Sequence, residues 1–159
     1  MLTVPHVPQT NPHGRNSCVP ACLSMVLAHQ GVTFGEQELC DVLGTQLTGT
    51  EVWSVVLLEQ RITNCYVVLD SASFDKLQAS LDAAIPPIVF VATRRLSYWQ
   101  RDTIHAVVVV ALTDTEVFVN DPAFPNAPCA VPRTEFLDAW SELDFLTVIM
   151  TVERESLGE

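Results

Sequence analysis

Positive charge is scarce in this chain. Of 159 residues, 8 are Lys or Arg and 19 are Asp or Glu, which gives a formal net charge of −11 at pH 7. Lys76 is the only lysine. Because nucleic-acid affinity rests largely on cations that neutralise phosphates, the composition argues against a nucleic-acid-binding function. An acidic surface favours solubility and neutral or basic partners instead.

The chain also lacks a long apolar run. The longest one, residues 106–112, has seven residues, whereas a transmembrane helix needs about 20. The N-terminus, MLTVPHVPQTNPHGR, has neither a basic start nor an apolar signal segment. With 48% apolar residues, no repeat and no linker, we expect one globular domain over residues 1–159, located in the cytoplasm and without membrane insertion.

Several motifs that would indicate cofactors are missing. The sequence has no CxxC pair, HExxH, GxGxxG, P-loop or GxSxG motif, so we expect no metal and no cofactor. The sequence has five cysteines, an odd number, and lacks a secretory signal. Both observations predict reduced thiols and no disulfide framework. A zinc site built from Cys18 and Cys22 with His13 or His105 is the weaker alternative.

Hydrophobic periodicity indicates helices early in the chain and strands later. Apolar residues recur at helical spacing from Val19, which predicts a helix with one apolar face, Ser17 as its N-cap and Gly31 just after its end. Ile104–Leu112 and Glu116–Asn120 flank a Thr-Asp-Thr turn, which predicts an antiparallel hairpin. The other predicted helices are 36–43, 50–61, 73–84 with Ser73 as its cap, and 134–140 with Thr134 as its cap. The other predicted strands are 65–69, 88–92 and 145–152. This order predicts an α+β class with an antiparallel sheet.

Cys18 is the candidate nucleophile. It lies at the start of the predicted helix, where unpaired backbone N–H groups and the helix dipole stabilise a thiolate. Cys22, one turn further on, falls on the predicted apolar face and is expected in the core. A cysteine in such a position is more often an inert buried thiol. The catalytic interpretation therefore depends on partners elsewhere in the chain.

His105 and Asp121 are the candidate partners. His105 opens the apolar segment HAVVVVAL, where an imidazole can face a cleft and act as a general base. Because side chains alternate along strands, a two-residue turn would place Asn120 on the face of His105, and a three-residue turn would place Asp121 there. The Thr-Asp-Thr turn favours Asp121, although Asn-Asp-Pro also suits a plain turn. The weaker histidine candidates are His6, His13 and His29.

Three further residues complete the candidate site. Gln9 is placed to donate its side-chain amide to an oxyanion, a contribution of about 3 kcal/mol in a comparable site. Tyr98 and Trp99 belong to the polar loop 93–103 just before the histidine strand, which makes this loop a candidate substrate lip. A solvated connecting loop is equally compatible with that composition.

These motifs resemble those of C39-type peptidases, which are papain-like cysteine peptidases. The stretch VPHVPQTNPHGRNSCVPACLSMVLAHQG is similar to their N-terminal signature of a glutamine, the catalytic cysteine, A-C-L-x-M and a final glycine. The stretch IHAVVVVALTDTEVFVNDPAF resembles their histidine strand and the following strand that ends in Asp-Pro, and FLDAW fits their C-terminal helix. The likeness extends from about Val4 to Val152.

The resemblance implies a papain-like fold, in which the nucleophile helix packs on an antiparallel sheet beside the cleft. It implies that Cys18 is the nucleophile, His105 the general base and acid, Asp121 the orienting carboxylate and Gln9 part of the oxyanion hole. Many members cleave leader peptides after a double glycine. Exporter-type members usually have glycine directly after the cysteine, whereas Val19 follows it here and adds bulk beside the nucleophile.

The sequence therefore predicts a stand-alone, C39-like cysteine peptidase or amide hydrolase that needs no cofactor and acts on a peptide or protein, with leader peptides as one substrate class. Two alternatives remain open. One is a non-catalytic C39-like module that binds a peptide in the same groove. The other is a thiol-dependent acyltransferase, in which an amine or thiol replaces water.

Overall fold

A computed structural model of the chain describes residues 1–154. Five α-helices and six strands form in the described part. The helices are α1 (Cys18–His29), α2 (Glu36–Leu43), α3 (Leu58–Arg61), α4 (Phe74–Asp82) and α5 (Arg133–Ser141). The strands are β1 (Cys65–Ser71), β2 (Ile88–Ala92), β3 (Ile104–Leu112), β4 (Glu116–Asn120), β5 (Cys129–Pro132) and β6 (Leu146–Val152).

The six strands form one sheet in the order β1-β6-β2-β3-β4-β5, and every neighbouring pair is antiparallel. The predicted α+β class is thereby confirmed. Helix α1 packs on one face of the sheet against β3 and also contacts α2, whereas α4 and α5 contact the other face. Strand β3 lies at the centre and has helices on both sides.

This double cover explains the continuous apolar sequence of β3. Val108 and Val110 point into the core that contains α1, while Val107 and Val109 point into the core built around Phe136 and Trp140 of α5. A strand that is buried on both faces needs apolar residues at every position, not at alternate ones. The run therefore indicates the central strand on which His105 is mounted.

Helix α1 is more deeply buried than its sequence pattern predicted. Every residue from Cys18 to Leu27 is buried, so the expectation of a single apolar face was too narrow. Gly31, with φ of +83°, follows the helix as expected. Ser17 occupies the N-cap position but makes no capping hydrogen bond. Its hydroxyl accepts from the backbone N–H of Asn11 at 3.1 Å instead and donates to Glu36 at 2.9 Å.

Two other helix predictions need correction. The segment predicted as a helix over 50–61 is a 3₁₀ helix at Val52–Leu57 followed by the short α3. Its β-branched valines disfavour a regular α-helix, which is a physical reason for the tighter turn. Thr134 is not the cap of α5, since Pro132 occupies that position. Ser73, by contrast, caps α4 as predicted and accepts a hydrogen bond from the backbone N–H of Lys76.

The loop before β3 starts with a 3₁₀ turn at Thr93–Arg95 and is closed by a buried threonine. The hydroxyl of Thr93 is within hydrogen-bond distance of the carbonyl oxygens of Arg101 and Thr103, and it accepts from the backbone N–H of Thr103. The loop ends are therefore fixed directly beside His105.

None of the helices formed by residues 1–154 has the length and apolar character required to cross a bilayer.

Candidate active site

Cys18 is the first residue of α1, and its side chain is only 7% exposed. The first hydrogen bond of the helix runs from the Ala21 N–H to the Ser17 carbonyl. The helix itself therefore makes no use of the N–H groups of Cys18 and Val19, which point from its positive end. Pro20 fits in this first turn because a proline there sacrifices no helical hydrogen bond.

His105 is the second residue of β3, opposite Val91 of β2, and is 3% exposed. Asp121 directly follows β4 and is 0% exposed. The two side chains meet, with His105 Nε2 lying 2.7 Å from Asp121 Oδ1. Because Nε2 is occupied by the carboxylate, Nδ1 is the ring nitrogen available to Cys18.

Strand register explains why Asp121, and not Asn120, reaches the histidine. Val108 pairs with Asn120, so Asn120 lies on the face opposite His105 and donates its amide to the Val4 carbonyl at 3.0 Å. Next to the turn, Leu112 pairs with Val117, whereas a simple three-residue loop would pair it with Glu116. A bulge between Val109 and Ala111 compensates for this shift of one residue. Beyond the bulge, the register is the one that the three-residue turn implied.

Four donors surround the Asp121 carboxylate. Besides His105, the Tyr98 hydroxyl and the Trp99 indole donate to Oδ2 at 2.7 and 3.0 Å, and the Ala123 N–H donates to Oδ1 at 2.9 Å. Burial alone would raise the pKa of Asp121, but hydrogen bonds from His105, Tyr98 and Ala123 together with the charge of His105 lower it. Asp121 is therefore a carboxylate near neutral pH.

Tyr98 and Trp99, the predicted substrate lip, contact the catalytic candidates directly, and their role as a lip stays a prediction. Their polar atoms point inwards to Asp121, and the Trp99 ring lies edge-on to the His105 ring with centroids 4.6 Å apart. Phe124 packs against both aromatic rings. Burial, followed by the charge of Asp121, raises the pKa of Tyr98 far above its usual value, which keeps its hydroxyl as a donor. The two residues thus support the histidine–carboxylate pair from behind.

The pKa of His105 is raised to about 9. Burial opposes this shift, but hydrogen bonds to Asp121 and Cys18 and the negative charge of both groups outweigh it. The Cys22 thiol has no imidazole partner of this kind. Burial and then the charges of Cys18 and Asp121 raise its pKa well above that of an ordinary thiol. Of these two cysteines, Cys18 is the one coupled to an imidazole.

Cys18 and His105 line the same cavity, which has a volume of about 240 Å³. The cavity lies between the start of α1, the segment that leads into the 3₁₀ helix Val52–Leu57, and strands β2 and β3. Its other lining residues are Asn16, Val19, Thr48, Gly49, Thr50, Val52, Phe90 and Ile104. The space beside the thiol is therefore largely apolar, and Val19 forms part of its wall.

Gln9 is close to this region, but its amide is otherwise engaged. Its Nε2 donates to Asn11 Oδ1 at 3.0 Å, and its buried Oε1 has no hydrogen-bond partner among residues 1–154. The backbone N–H of Gln9 donates to the Pro122 carbonyl at 2.8 Å, directly after Asp121. A donor role for Gln9 therefore falls to the second N–H of Nε2, which Asn11 does not use.

Two residues near the nucleophile were missed by sequence reasoning. Glu36 of α2 accepts hydrogen bonds from the Thr10 N–H, the Thr10 hydroxyl and the Ser17 hydroxyl, which fixes the Gln9 segment to the start of α1. Asn16 lines the cavity beside Cys18. No sequence motif or hydrophobic period marks either residue. The contacts of Glu36 are with residues distant in sequence, and Asn16 lies in a loop.

The remaining histidines do not join this site as bases. His6 Nε2 lies 2.9 Å from the Asp121 carbonyl, His13 contacts Gln37, and His29 lies between the carbonyls of Thr3 and Ala84. Over residues 1–154, no group of three or more His, Cys, Asp or Glu side chains is arranged to hold a metal ion.

Comparisons with known proteins agree with this fold. The sequence model of the Peptidase_C39 like family matches residues 1–148, whereas no curated protein matches the chain. A Bacillus anthracis protein described as a C39-like peptidase superposes with a TM-score of 0.77 at 17% identity, covering 97% of this chain and 96% of that one.

Two transporter-derived structures are similar as well. The peptidase domain of Streptococcus ComA, a bifunctional ABC transporter involved in quorum sensing, gives a TM-score of 0.74 at 20% identity over 96% of this chain and 100% of that one. A double glycine motif protease from an AMS/PCAT transporter, in complex with its leader peptide, gives 0.71 at 18% identity over 96% and 94%.

Proposed function

Because this chain belongs to the Peptidase_C39 like family, we propose that it is a cysteine peptidase with Cys18 as its nucleophile. The observation that carries the proposal is the buried hydrogen bond from His105 to Asp121, because His105 lines the same cavity as Cys18. The carboxylate fixes the ring through Nε2, and Nδ1 is left to exchange a proton with the thiol. The raised pKa of His105 favours the imidazolium that accompanies a thiolate.

In the proposed reaction, the Cys18 thiolate attacks the substrate carbonyl carbon, and the carbonyl oxygen becomes an oxyanion. As the tetrahedral intermediate collapses, the C–N bond breaks and His105 transfers its proton to the departing amine. Water then attacks the thioester and gives one proton to His105. The C–S bond breaks, the acid product leaves, and the thiolate–imidazolium pair is restored.

The oxyanion would lie at the start of α1. The Cys18 N–H is directed there by the helix and is the first proposed donor. Gln9 is the second, through the N–H of Nε2 that does not bind Asn11. Loss of one such donor costs about 3 kcal/mol of transition-state stabilisation in a comparable site.

The proposed substrate is a peptide segment that occupies the largely apolar cavity beside Cys18. The similar transporter-derived protease is in complex with a leader peptide, and leader peptides are therefore the first class to test here. The five cysteines of the described chain are free thiols. This supports our further proposal that the protein works in a reducing compartment, the cytoplasm.

The test is cleavage of a mixed peptide library, with new termini read by mass spectrometry. We expect cleavage by the wild type, none by Cys18→Ala, and retained cleavage by Cys22→Ala, which removes a buried thiol one turn away. An added amine or thiol that is captured in the product would show acyl transfer instead. If Cys18→Ala still binds the peptides and the wild type leaves them intact, the protein is a binding module.

A further inference from the structure

Asn16 lies two residues before Cys18 and lines the same cavity. Its backbone N–H donates to the Gln46 carbonyl at 3.1 Å. Gln46 in turn forms a small antiparallel bridge with Gly49, which is also part of the cavity wall. The backbone of Asn16 is therefore fixed between the nucleophile and the opposite wall.

The side chain of Asn16 has an unused hydrogen-bonding group. Its Oδ1 is buried and has no hydrogen-bond partner among residues 1–154. Buried polar atoms are nearly always paired, so an unpaired acceptor in a site calls for an explanation. Turning this amide towards the cavity would break no hydrogen bond at Oδ1.

Apart from Cys18 and His105, the polar groups of the cavity wall are those of Asn16, Thr48 and Thr50, and the buried, unpaired atom among them is Asn16 Oδ1. The Thr50 hydroxyl is already paired with the Thr45 hydroxyl at 2.9 Å, and Thr48 is exposed to water. The rest of the wall is mostly apolar and includes Val52, Phe90 and Ile104. An apolar pocket with a few convergent polar groups is the usual form of a site that orients a ligand.

A peptide supplies both complementary groups, since an apolar side chain fits the wall and the adjoining main-chain N–H fits the unpaired oxygen. We infer that Asn16 Oδ1 accepts the main-chain N–H of the substrate residue whose side chain occupies this cavity. This inference rests on the proposed peptidase function and makes Asn16 a specificity-determining residue. A substrate with proline or an N-methylated residue at that position has no N–H to offer and is disfavoured.

The test uses four probes: the aldehyde acetyl-Leu-Leu-Leu-al and its three singly N-methylated forms. The Cys18 thiol adds to the aldehyde carbon, its proton passes to the oxygen, and a reversible hemithioacetal forms. Affinity is measured as protection of Cys18 from alkylation. The proteins are the wild type, Asn16→Leu, which keeps the shape without the amide, and Asn16→Asp, which keeps an acceptor oxygen. Thr48→Val is the matched control, because it removes a polar group of the cavity wall that is exposed to water.

In the wild type, one N-methylated aldehyde should bind at least about tenfold more weakly than the parent, as expected when a buried group loses its partner. In Asn16→Leu the affinities of the parent and that N-methylated aldehyde should differ by no more than about twofold, because the protein then offers no acceptor to either probe. In Asn16→Asp and Thr48→Val the affinity ratio of the two aldehydes should stay as in the wild type. Circular dichroism establishes that the variants are folded.

An unchanged ratio in Asn16→Leu would overturn the role of Asn16 while leaving the peptidase proposal intact, because the aldehydes would still protect Cys18. A ratio lost in both Asn16→Leu and Asn16→Asp would overturn the acceptor role. If no aldehyde protects Cys18 in the wild type, the proposed function and the inference built on it both fail.

Discussion

His105 and Asp121 are joined by a 2.7 Å hydrogen bond between two buried side chains, although sixteen residues separate them in the chain. The hydrogen bond involves Nε2 of the imidazole and fixes the orientation of the ring. Trp99 contributes to this arrangement twice, since its indole N–H donates to Asp121 and its ring packs against His105. The pair is thus held rigidly, and Nδ1 remains free for chemistry at Cys18.

Replacement of Asp121 by asparagine should lower the pKa of His105. The carboxylate raises that pKa through its hydrogen bond and its negative charge, and a neutral amide removes the charge. We expect the imidazole titration, followed by NMR, to move down from about 9, and cleavage to fall at least about tenfold.

Asn120→Ala is the matched control for this experiment. Asn120 is the preceding residue, but it faces the other side of the sheet and binds the Val4 carbonyl. Its replacement should leave the His105 titration unchanged. A His105 titration that is identical in the wild type and Asp121→Asn would contradict the assigned contact.

Tyr98→Phe should lower the free energy of unfolding. The change removes only the hydroxyl that donates to the buried Asp121 carboxylate. Hydrogen bonds to charged groups contribute about 1.5–3 kcal/mol, and urea unfolding should show a loss of this order. Tyr66→Phe, at the half-exposed tyrosine of β1, should change stability by less than about 0.5 kcal/mol. Equal effects of the two changes would argue against an inward role for Tyr98.

Replacing Cys18 by serine should make stability fall as the pH rises above 6.5. Burial lowers the pKa of His105, but the hydrogen bond and the charge of Asp121 raise it, so folded His105 holds a proton that the unfolded chain, with a pKa near 6.5, has lost. That contribution is fully present below pH 6.5 and is lost as the pH rises through the folded pKa. In the wild type, the proposed thiolate–imidazolium pair binds no more protons than a thiol and a neutral imidazole, so the stability curve should be flatter in this window. Urea unfolding of both proteins against pH measures the difference, and parallel curves would refute the pairing of Cys18 with His105.

Glu36→Gln should loosen the segment that carries Gln9. The carboxylate accepts from Thr10 and Ser17, whereas an amide has one acceptor oxygen and opposes these donors with its own N–H groups. Hydrogen exchange at the Thr10 amide should therefore become faster, by about tenfold for a loss of about 1.4 kcal/mol. Glu38→Gln changes an exposed carboxylate of the same helix and should leave that exchange rate as it is. Unaltered exchange in Glu36→Gln would show that other contacts hold the segment.

Local sequence patterns predicted those parts of the fold that depend on nearby residues. The hairpin β3–β4 and the end of α1 shortly before Gly31 follow from apolar runs, turn residues and a glycine, which here adopts a positive φ. The position of Asp121 on the face of His105 followed from strand parity, although the bulge in β3 that preserves this parity has no signal in the sequence.

Long-range contacts were beyond such patterns. The direction of Tyr98 and Trp99 depends on a buried carboxylate 23 and 22 residues away, and a polar aromatic loop looks the same whether it faces substrate or core. The engagement of Gln9 with Asn11 is likewise set by how the N-terminal segment is bound to Glu36. The burial of α1 on all sides from Cys18 to Leu27 depends on the neighbouring elements that cover it.

The most direct test of the account is the alkylation rate of Cys18 against pH, measured by peptide mass spectrometry in the wild type and His105→Ala. An activated thiolate–imidazolium pair predicts rapid alkylation that persists below pH ~7 and becomes slower, or moves to higher pH, in the variant. If Cys18 instead reacts as an ordinary thiol titrating near pH ~8.5, with the same profile in both proteins, the catalytic pairing of Cys18 with His105 is contradicted.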